Sequence, residues 1–476
     1  MTVTCVWSWV ISGWLVGLSL LALRARRYSV AKAWRWLALM LAAPWVGVIL
    51  YLLLGENPLG RRRVVRYRQV IEGSDAGDVV SALEAHVARP LLDNAQVGIE
   101  FLAQGGGALP AIGGNEGELI VDSEQIVRQL VQDIGEAEHN VNLVFYIFRD
   151  DQTGRRIADA LIEAAQRGVA CRLIADAVGS HPMLAGLGSK LRRRGVQVCA
   201  ALPINPLRRR LARIDLRNHR KVAVIDGRIG YLGSWNVADP NYGPGGTDSY
   251  RDIMVRLKGP AVLQLQLLCL EDWIFETGES LRNQGLFPEP RVAGRAVMQT
   301  VPSGPMYPST PVRDVTVAAI HQARHNVALT TPYLIPDEAL MLSLRLAVQR
   351  DVRVDVIVPP KSDSRLVDAA GRSYLRDLVG ADVRVHLYQL GTLHAKILTV
   401  DQSIGMIGSA NFDVRSFRLN VEANLLIYSH ELITALREAQ QRYMRDSRPL
   451  DRQALRDQSW LKHVGEDFAR LLSPLI

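Results

Sequence analysis

Cysteine is scarce in this 476-residue chain. The four present, Cys5, Cys171, Cys199 and Cys269, lie too far apart for any metal-ligand or disulfide-framework spacing. That argues against a zinc site and against a disulfide scaffold. There is also no cluster of carboxylates that would hold a divalent cation, so neither metal nor cofactor is expected. Charge is missing from two long stretches: Val3 to Leu23 carries none over 21 residues, and Trp36 to Leu54 none over 19. Each is about the length that crosses roughly 30 Å of hydrocarbon as a helix. A secretory signal would place positive charge before the first run, whereas Arg24, Arg26 and Arg27 follow it. A two-helix membrane hairpin is the better reading, with Trp34, Trp36, Trp45 and Tyr51 as interfacial or packing aromatics.

A basic body is lacking too. Residues 1–68 hold ten basic side chains and one acid, Glu56, for +9 of a total of +8, which leaves the remainder close to neutral. A nucleic-acid partner would need a basic stripe across the folded body. Basicity beside apolar segments instead points to anionic lipid headgroups, each nearby Lys or Arg contributing about 1 kcal/mol. Five positives between the segments (Arg24, Arg26, Arg27, Lys32, Arg35) face five after them (Arg61, Arg62, Arg63, Arg66, Arg68). The positive-inside rule therefore leaves orientation open.

What the chain does have is one pattern written twice. His219-Arg220-Lys221 is followed by Asp226, then by Gly233-Ser234 and Asn236; His394-Ala395-Lys396 is followed by Asp401, then by Gly408-Ser409 and Asn411. The apolar runs Val222 to Ile225 and Ile397 to Val400 read as strands, each ending at a turn that begins with Asp. Residues two apart on a strand share a face, so each His and Lys point the same way. A returning strand ending in Gly-Ser brings the Asn back beside them. One imidazole, one ammonium and one amide, with no acid among them, suit a phosphate. The turn positions of Asp226 and Asp401 favour a structural role for both.

The doubled pattern resembles the HKD signature of the phospholipase D superfamily, and in particular the bacterial cardiolipin synthases. Further stretches carry the likeness: Phe145-Tyr146-Ile147, Asn218-His219-Arg220-Lys221, Ser303-Gly304-Pro305, Thr331-Pro332-Tyr333 through Pro336-Asp337, and Asn411-Phe412-Asp413 through Arg415-Ser416. The resemblance implies a catalytic set of His219, Lys221, Asp226, His394, Lys396 and Asp401, with Ser234, Asn236, Ser409 and Asn411 at the substrate. It also implies an orienting carboxylate for each histidine. Glu422 is the candidate in the second half, and Asp252 is chosen over Asp248 in the first. Tyr333 and Pro336 could wall a lipid entrance, and the run Arg208-Arg209-Arg210 with Arg213 and Arg217 could meet a second anionic headgroup.

The repeat extends beyond the motif. Helices over 123–138, 153–167 and 183–194 alternate with strands over 141–147, 168–175 and 196–201. The order recurs as helices over 312–325, 337–350 and 367–379 and strands over 327–333, 352–358 and 383–387. The expected fold class is α/β: two phospholipase D-like lobes, mixed β-sheets flanked by helices and related by a pseudo-twofold, after a transmembrane hairpin. The expected boundaries are 1–68 for the hairpin and basic segment, 69–118 for a linker and irregular lead-in, 119–290 for the first lobe and 291–476 for the second.

The activity implied is a phosphatidyl transfer between two phosphatidylglycerol molecules through a phosphatidyl-histidine, in a multi-pass protein of the bacterial inner membrane. The residues do not distinguish the nucleophilic histidine from the acid/base. They equally support a membrane-bound phospholipase D that hydrolyses phospholipid. A nuclease is disfavoured by the hairpin and the neutral body, and a non-catalytic scaffold by two intact motifs.

Overall fold

The computed structural model describes residues 3–22, 30–52, 76–203, 215–243, 249–279, 281, 285–307, 309–362, 364–456 and 459–471. Arg24, Arg26 and Arg27, the Arg61–Arg68 segment, Arg208–Arg210, Arg213 and Asp248 lie outside them. The described residues fall into two compact units, one within Met1–Arg66 and Ile204–Leu216, the other within Tyr67–Pro203 and Arg217–Ile476.

In the first unit the uncharged run at the start forms the helix Val3–Ala22. The second run departs from the expected single helix. It is divided into Val30–Ala42 and Pro44–Leu50, because Pro44 has no N–H to donate and its ring crowds the preceding turn. The segments pack closely where Gly17 faces Met40 and Gly13 faces Pro44. Trp45 Nε1 donates to the carbonyl of Trp9 (2.9 Å), and the Trp36 and Tyr51 rings meet edge to face. Among the described residues no helix is long and apolar enough to cross a membrane.

The second unit is built on strands. The first half contributes β1 (Ile112–Ile120), β2 (Asn140–Phe145), β3 (Ala170–Asp176), β4 (Gln197–Ala201), β5 (Lys221–Ile225), β6 (Ile229–Gly233), β7 (Tyr250–Arg251) and β8 (Met254–Lys258). The second half begins with β9 (Ala296–Ser303), β10 (Asn326–Thr330), β11 (Leu334–Ile335), β12 (Arg353–Val358) and β13 (Arg384–Tyr388). It continues with β14 (Thr392–Leu393), β15 (Ile397–Val400), β16 (Ile404–Gly408), β17 (Phe412–Asp413), β18 (Glu422–Ile427) and β19 (Ser447–Pro449).

Two separate sheets are expected from the repeat, yet one fifteen-stranded order runs through both halves: β19-β13-β12-β10-β15-β16-β18-β9-β1-β8-β6-β5-β2-β3-β4. Outward from the centre the two directions match strand for strand. β1, β8, β6, β5, β2, β3, β4 answer to β9, β18, β16, β15, β10, β12, β13. The joint is the antiparallel pair β1 and β9, with Ile112 opposite Met298 and Asn115 opposite Ala296. Asn115 bridges it, donating to the carbonyls of Ile112 (2.8 Å) and Ala296 (3.1 Å). The stretch 69–118, expected as irregular, therefore holds the start of a central strand, preceded by helices Ala76–Glu84 and Asn94–Gly105. Its glycines hide the strand signal: Gly113 and Gly114 lie at a register shift in the β1–β9 pairing, with Gly114 at φ +81°.

Apolar side chains fill three clusters, one under each half and one shared beneath the joint. The shared cluster packs helices Val262–Thr277 and His430–Arg445 under the motif hairpins. Each fully buried Val, Leu or Ile there contributes about 1.5–3 kcal/mol.

The aspartates of the two motifs serve this frame. Asp226 and Asp401 take positive φ, 52° and 50°, at the hairpin turns. Asp226 accepts from the backbone N–H of Glu138, His139 and Asn140 (2.7–2.8 Å), and Asp401 from those of Arg324, His325 and Asn326 (2.8–2.9 Å). Each thereby fastens its hairpin to the start of the neighbouring strand, β2 for Asp226 and β10 for Asp401, which runs antiparallel to the motif strand. Seven residues of extended chain set each Asp roughly 20 Å from its motif histidine. That distance corrects their inclusion in a catalytic set. Asp226→Ala leaves three N–H groups without an acceptor and should cost about 2–4 kcal/mol in urea unfolding. Turnover per folded molecule should survive; a loss of turnover with unchanged stability would refute the structural role.

Candidate active site

His219 and His394 enter β5 and β15 from loops that are clamped to the opposite half. The His219 N–H donates to the Val421 carbonyl (2.8 Å), and the Val421 N–H to the Arg217 carbonyl (2.9 Å). In the matching junction His394 N–H donates to the Arg251 carbonyl (2.9 Å), and β14 pairs in parallel with β7. Both histidines line one cavity of about 250 Å³, together with Asn236 and Asn411.

The junctions decide which carboxylate meets which imidazole. Glu422 and Asp252, expected as orienting acids, each meet an imidazole, but in exchanged positions. His219 Nδ1 lies 3.0 Å from both oxygens of Glu422, and His394 Nδ1 lies 2.7 Å from Asp252 Oδ1. An assignment within each half, the simple reading of the repeat, is corrected. Pairing Asn218 with Val421 carries the second-half acid to the first-half histidine.

Ser234 and Ser409, expected at the substrate, lie fully buried behind the acids and do not line the cavity. Ser234 Oγ donates to Asp252 (2.6 Å) and Ser409 Oγ to Glu422 (2.6 Å). Glu422 accepts a further bond from Ser416 Oγ (2.9 Å). Burial alone would raise these carboxyls; the facing histidine, then lysine and serine, outweigh it and hold both below the usual carboxylate range.

Burial pushes each imidazole down to about 4, against the pull of its carboxylate, so both are neutral at neutral pH. The lysines lie inward of the cavity wall. Lys221 Nζ donates to the His219 carbonyl (2.7 Å) and Lys396 Nζ to the His394 carbonyl (2.6 Å). Burial brings Lys221 down to about 7 and, with Lys221 nearby, Lys396 well below its ordinary value.

Aromatic rings close the walls: Tyr146 lies 4.7 Å from the His219 ring, and Tyr250 meets His394 edge-on at 5.4 Å. Tyr250 stacks on Tyr242, whose hydroxyl accepts from Asn236 Nδ2 (2.9 Å). Tyr333 reaches the cavity as expected for an entrance wall, along with Arg217 and Arg415; Pro336 does not line it. Tyr242 and Tyr250 had no role assigned from sequence, since their partners depend on contacts across the fold. Arg220 has only Ala395 as counterpart. It ties the site to its surroundings through Asp272 (2.5 Å), the Tyr307 hydroxyl (3.1 Å) and the Glu422 carbonyl (3.1 Å). Among the described residues no group of His, Cys, Asp and Glu could hold a metal ion.

Two imidazoles on one cavity, each held at Nδ1 so that Nε2 is left for chemistry, can relay a group and a proton in turn. Carbon-13 NMR titration of histidine-labelled protein should place the His219 midpoint well below the usual 6.5. The Glu422 charge favours imidazolium, so Glu422→Gln should move that midpoint further down. A midpoint near 6.5, or an upward move in the variant, would contradict the burial argument.

The chain matches the family model described as cardiolipin synthase, PLD-like domain, over residues 130–267 and 316–444. It is 32% identical over 481 residues to cardiolipin synthase A of Cronobacter sakazakii, covering 99% of this chain and 98% of that one. Cardiolipin synthase A of Escherichia coli is 32% identical over 487 residues with the same coverage. The crystal structure of phosphatidylserine synthase from Haemophilus influenzae shares the fold with a TM-score of 0.58 at 16% identity, covering 80% of this chain and 98% of that one. With two matched segments, intact doubled motifs and full-length relatives, the chain belongs to the cardiolipin synthase family of phospholipase D-like proteins.

Proposed function

We propose that this protein makes cardiolipin, transferring a phosphatidyl group from one phosphatidylglycerol to another and releasing glycerol. The observation that carries the reading is the pair of carboxylate-held imidazoles on a single cavity. Full-length similarity to cardiolipin synthases A supports the choice of lipid.

In the first step the neutral His219 Nε2 attacks the donor phosphorus, and the bond to the glycerol oxygen breaks. His394, protonated in the complex, gives its proton to that oxygen. The anionic phosphodiester and Asp252 favour this charge against burial. In the second step His394 takes the proton of the acceptor hydroxyl, whose oxygen attacks phosphorus and releases His219. Asn236 and Asn411, which line the cavity, stabilise the non-bridging oxygens directly and the charges of Lys221 and Lys396 do so from behind its wall, while Glu422 and Asp252 hold the rings. No step calls for a metal or cofactor.

The uncharged runs 3–23 and 36–54 form the membrane hairpin of this reading, in the bacterial inner membrane. Its support is their length and the +9 charge of residues 1–68.

Purified protein with phosphatidylglycerol should release cardiolipin and glycerol in equal amounts. Phosphatidate as the main product would mean that water is the acceptor. His219→Ala and His394→Ala should each lower turnover at least about 1000-fold with folding retained. Acid-sensitive phosphatidyl label trapped by quenching the unmodified protein during turnover in alkaline denaturant should sit on His219; label on no histidine would defeat the covalent route.

A further inference from the structure

Among the described residues, the helix Trp460–Leu471 is bound to the body along one side only. Glu466 accepts from Arg372 (2.8 Å) and Arg376 (3.0 Å), Ser373 donates to Asp467 (2.7 Å), and Arg470 pairs with Asp377 (2.6 Å). Ala469 is buried on this side, and the Arg470 guanidinium lies 4.2 Å from the Tyr374 ring centre. All of these partners belong to one helix, Arg365–Gly380.

The other side is apolar and uncovered. Trp460, Leu461, Val464, Phe468 and Leu471 are each 53–72% exposed. At 3.6 residues per turn they fall within an arc of about 100°. An apolar stripe on a helix already fixed by its ion pairs adds nothing to the core.

Its position relates it to the cavity. Arg372 faces Glu466 and Asp377 faces Arg470, so the two helices run parallel. The same register sets Trp460 level with the first turn of Arg365–Gly380. That turn supplies Val367 to the cavity wall and exposes Leu366 beside it. Lys361 and Arg365 are exposed at this end as well.

We propose that the Trp460–Leu471 face is an in-plane membrane anchor that lays the cavity against an anionic bilayer. The occupant follows from shape and charge. A stripe about 18 Å long and about 10 Å wide is roughly 200 Å² in projection, well short of the about 800 Å² per partner of a stable protein interface. A shallow apolar band with Trp at its cavity end and cations nearby matches the acyl–headgroup boundary instead. The inference deepens the proposed function, because it rests on the substrate being a bilayer phospholipid.

The test uses the full chain in vesicles of phosphatidylethanolamine and phosphatidylglycerol. A photoreactive benzoylphenylalanine replaces Val464, Phe468 or, as a control on another face, Lys462. Lipid adducts at 464 and 468 should exceed those at 462 at least about fivefold. Equal yields, or adducts to a second copy of the chain, would overturn the anchor. This readout needs no turnover, so it stands or falls apart from the transfer reaction. A Trp460→Ser/Phe468→Ser double variant should lose about tenfold in turnover on vesicles, with turnover on monomeric short-chain phosphatidylglycerol unchanged. Equal loss on both substrates would mean that the face supports the fold and not the membrane contact.

Discussion

The site depends on two crossed ion-dipole contacts, Glu422 with His219 and Asp252 with His394. Each carboxylate is buried and costs several kcal/mol to desolvate. That cost is offset only when ring, serine and lysine converge on it in the right geometry. The convergence needs parts from both halves, so the chain must align them to a fraction of an ångström. The β1–β9 joint and the paired junctions at Val421 and Arg251 supply that alignment through backbone hydrogen bonds.

Much of this was legible in the sequence, because the repeat marks itself at fixed spacing. The histidines, the lysines and both asparagines at the cavity could be read from two aligned copies, and the two acids from the resemblance to phospholipase D-like proteins. The turn role of Asp226 and Asp401 was legible as well, since Asp tolerates positive φ and caps neighbouring N–H groups. The exchange of acids was not. His219 and Glu422 are 203 residues apart, and nothing local records that Val421, just before β18, pairs with Asn218 of the opposite half. The central strand β1 was hidden by Gly113, Gly114 and Gly117, which break the apolar alternation that betrays a strand. The serines misled for a related reason. A Gly-Ser pair beside a phosphate motif suggests substrate contact, whereas the fold turns both hydroxyls backwards onto carboxylates.

The electrostatics of the cavity follow from burial more than from any pair. Two imidazoles are neutral, and two ammoniums are held on their neighbours' carbonyls with lowered affinity for protons. A site in this state repels little and attracts an anion strongly, because an entering phosphodiester restores the favourable charge on each cation. The ligand and the protons are thus bound together, which ties the chemistry to the charge of a phosphodiester.

The crossing of the acids also makes the two halves mutually obligate. A polypeptide cut between β8 and β9 would leave His219 without its carboxylate and bury Asp252 with no ring to face. A gene encoding a single copy of this repeat could become competent only by self-association, the missing acid arriving from its twin. Covalent fusion of two such copies converts a concentration-dependent encounter into an intramolecular one, and then frees each copy to diverge. Glu in one copy where the other has Asp, and Arg220 against Ala395, are divergence of that kind.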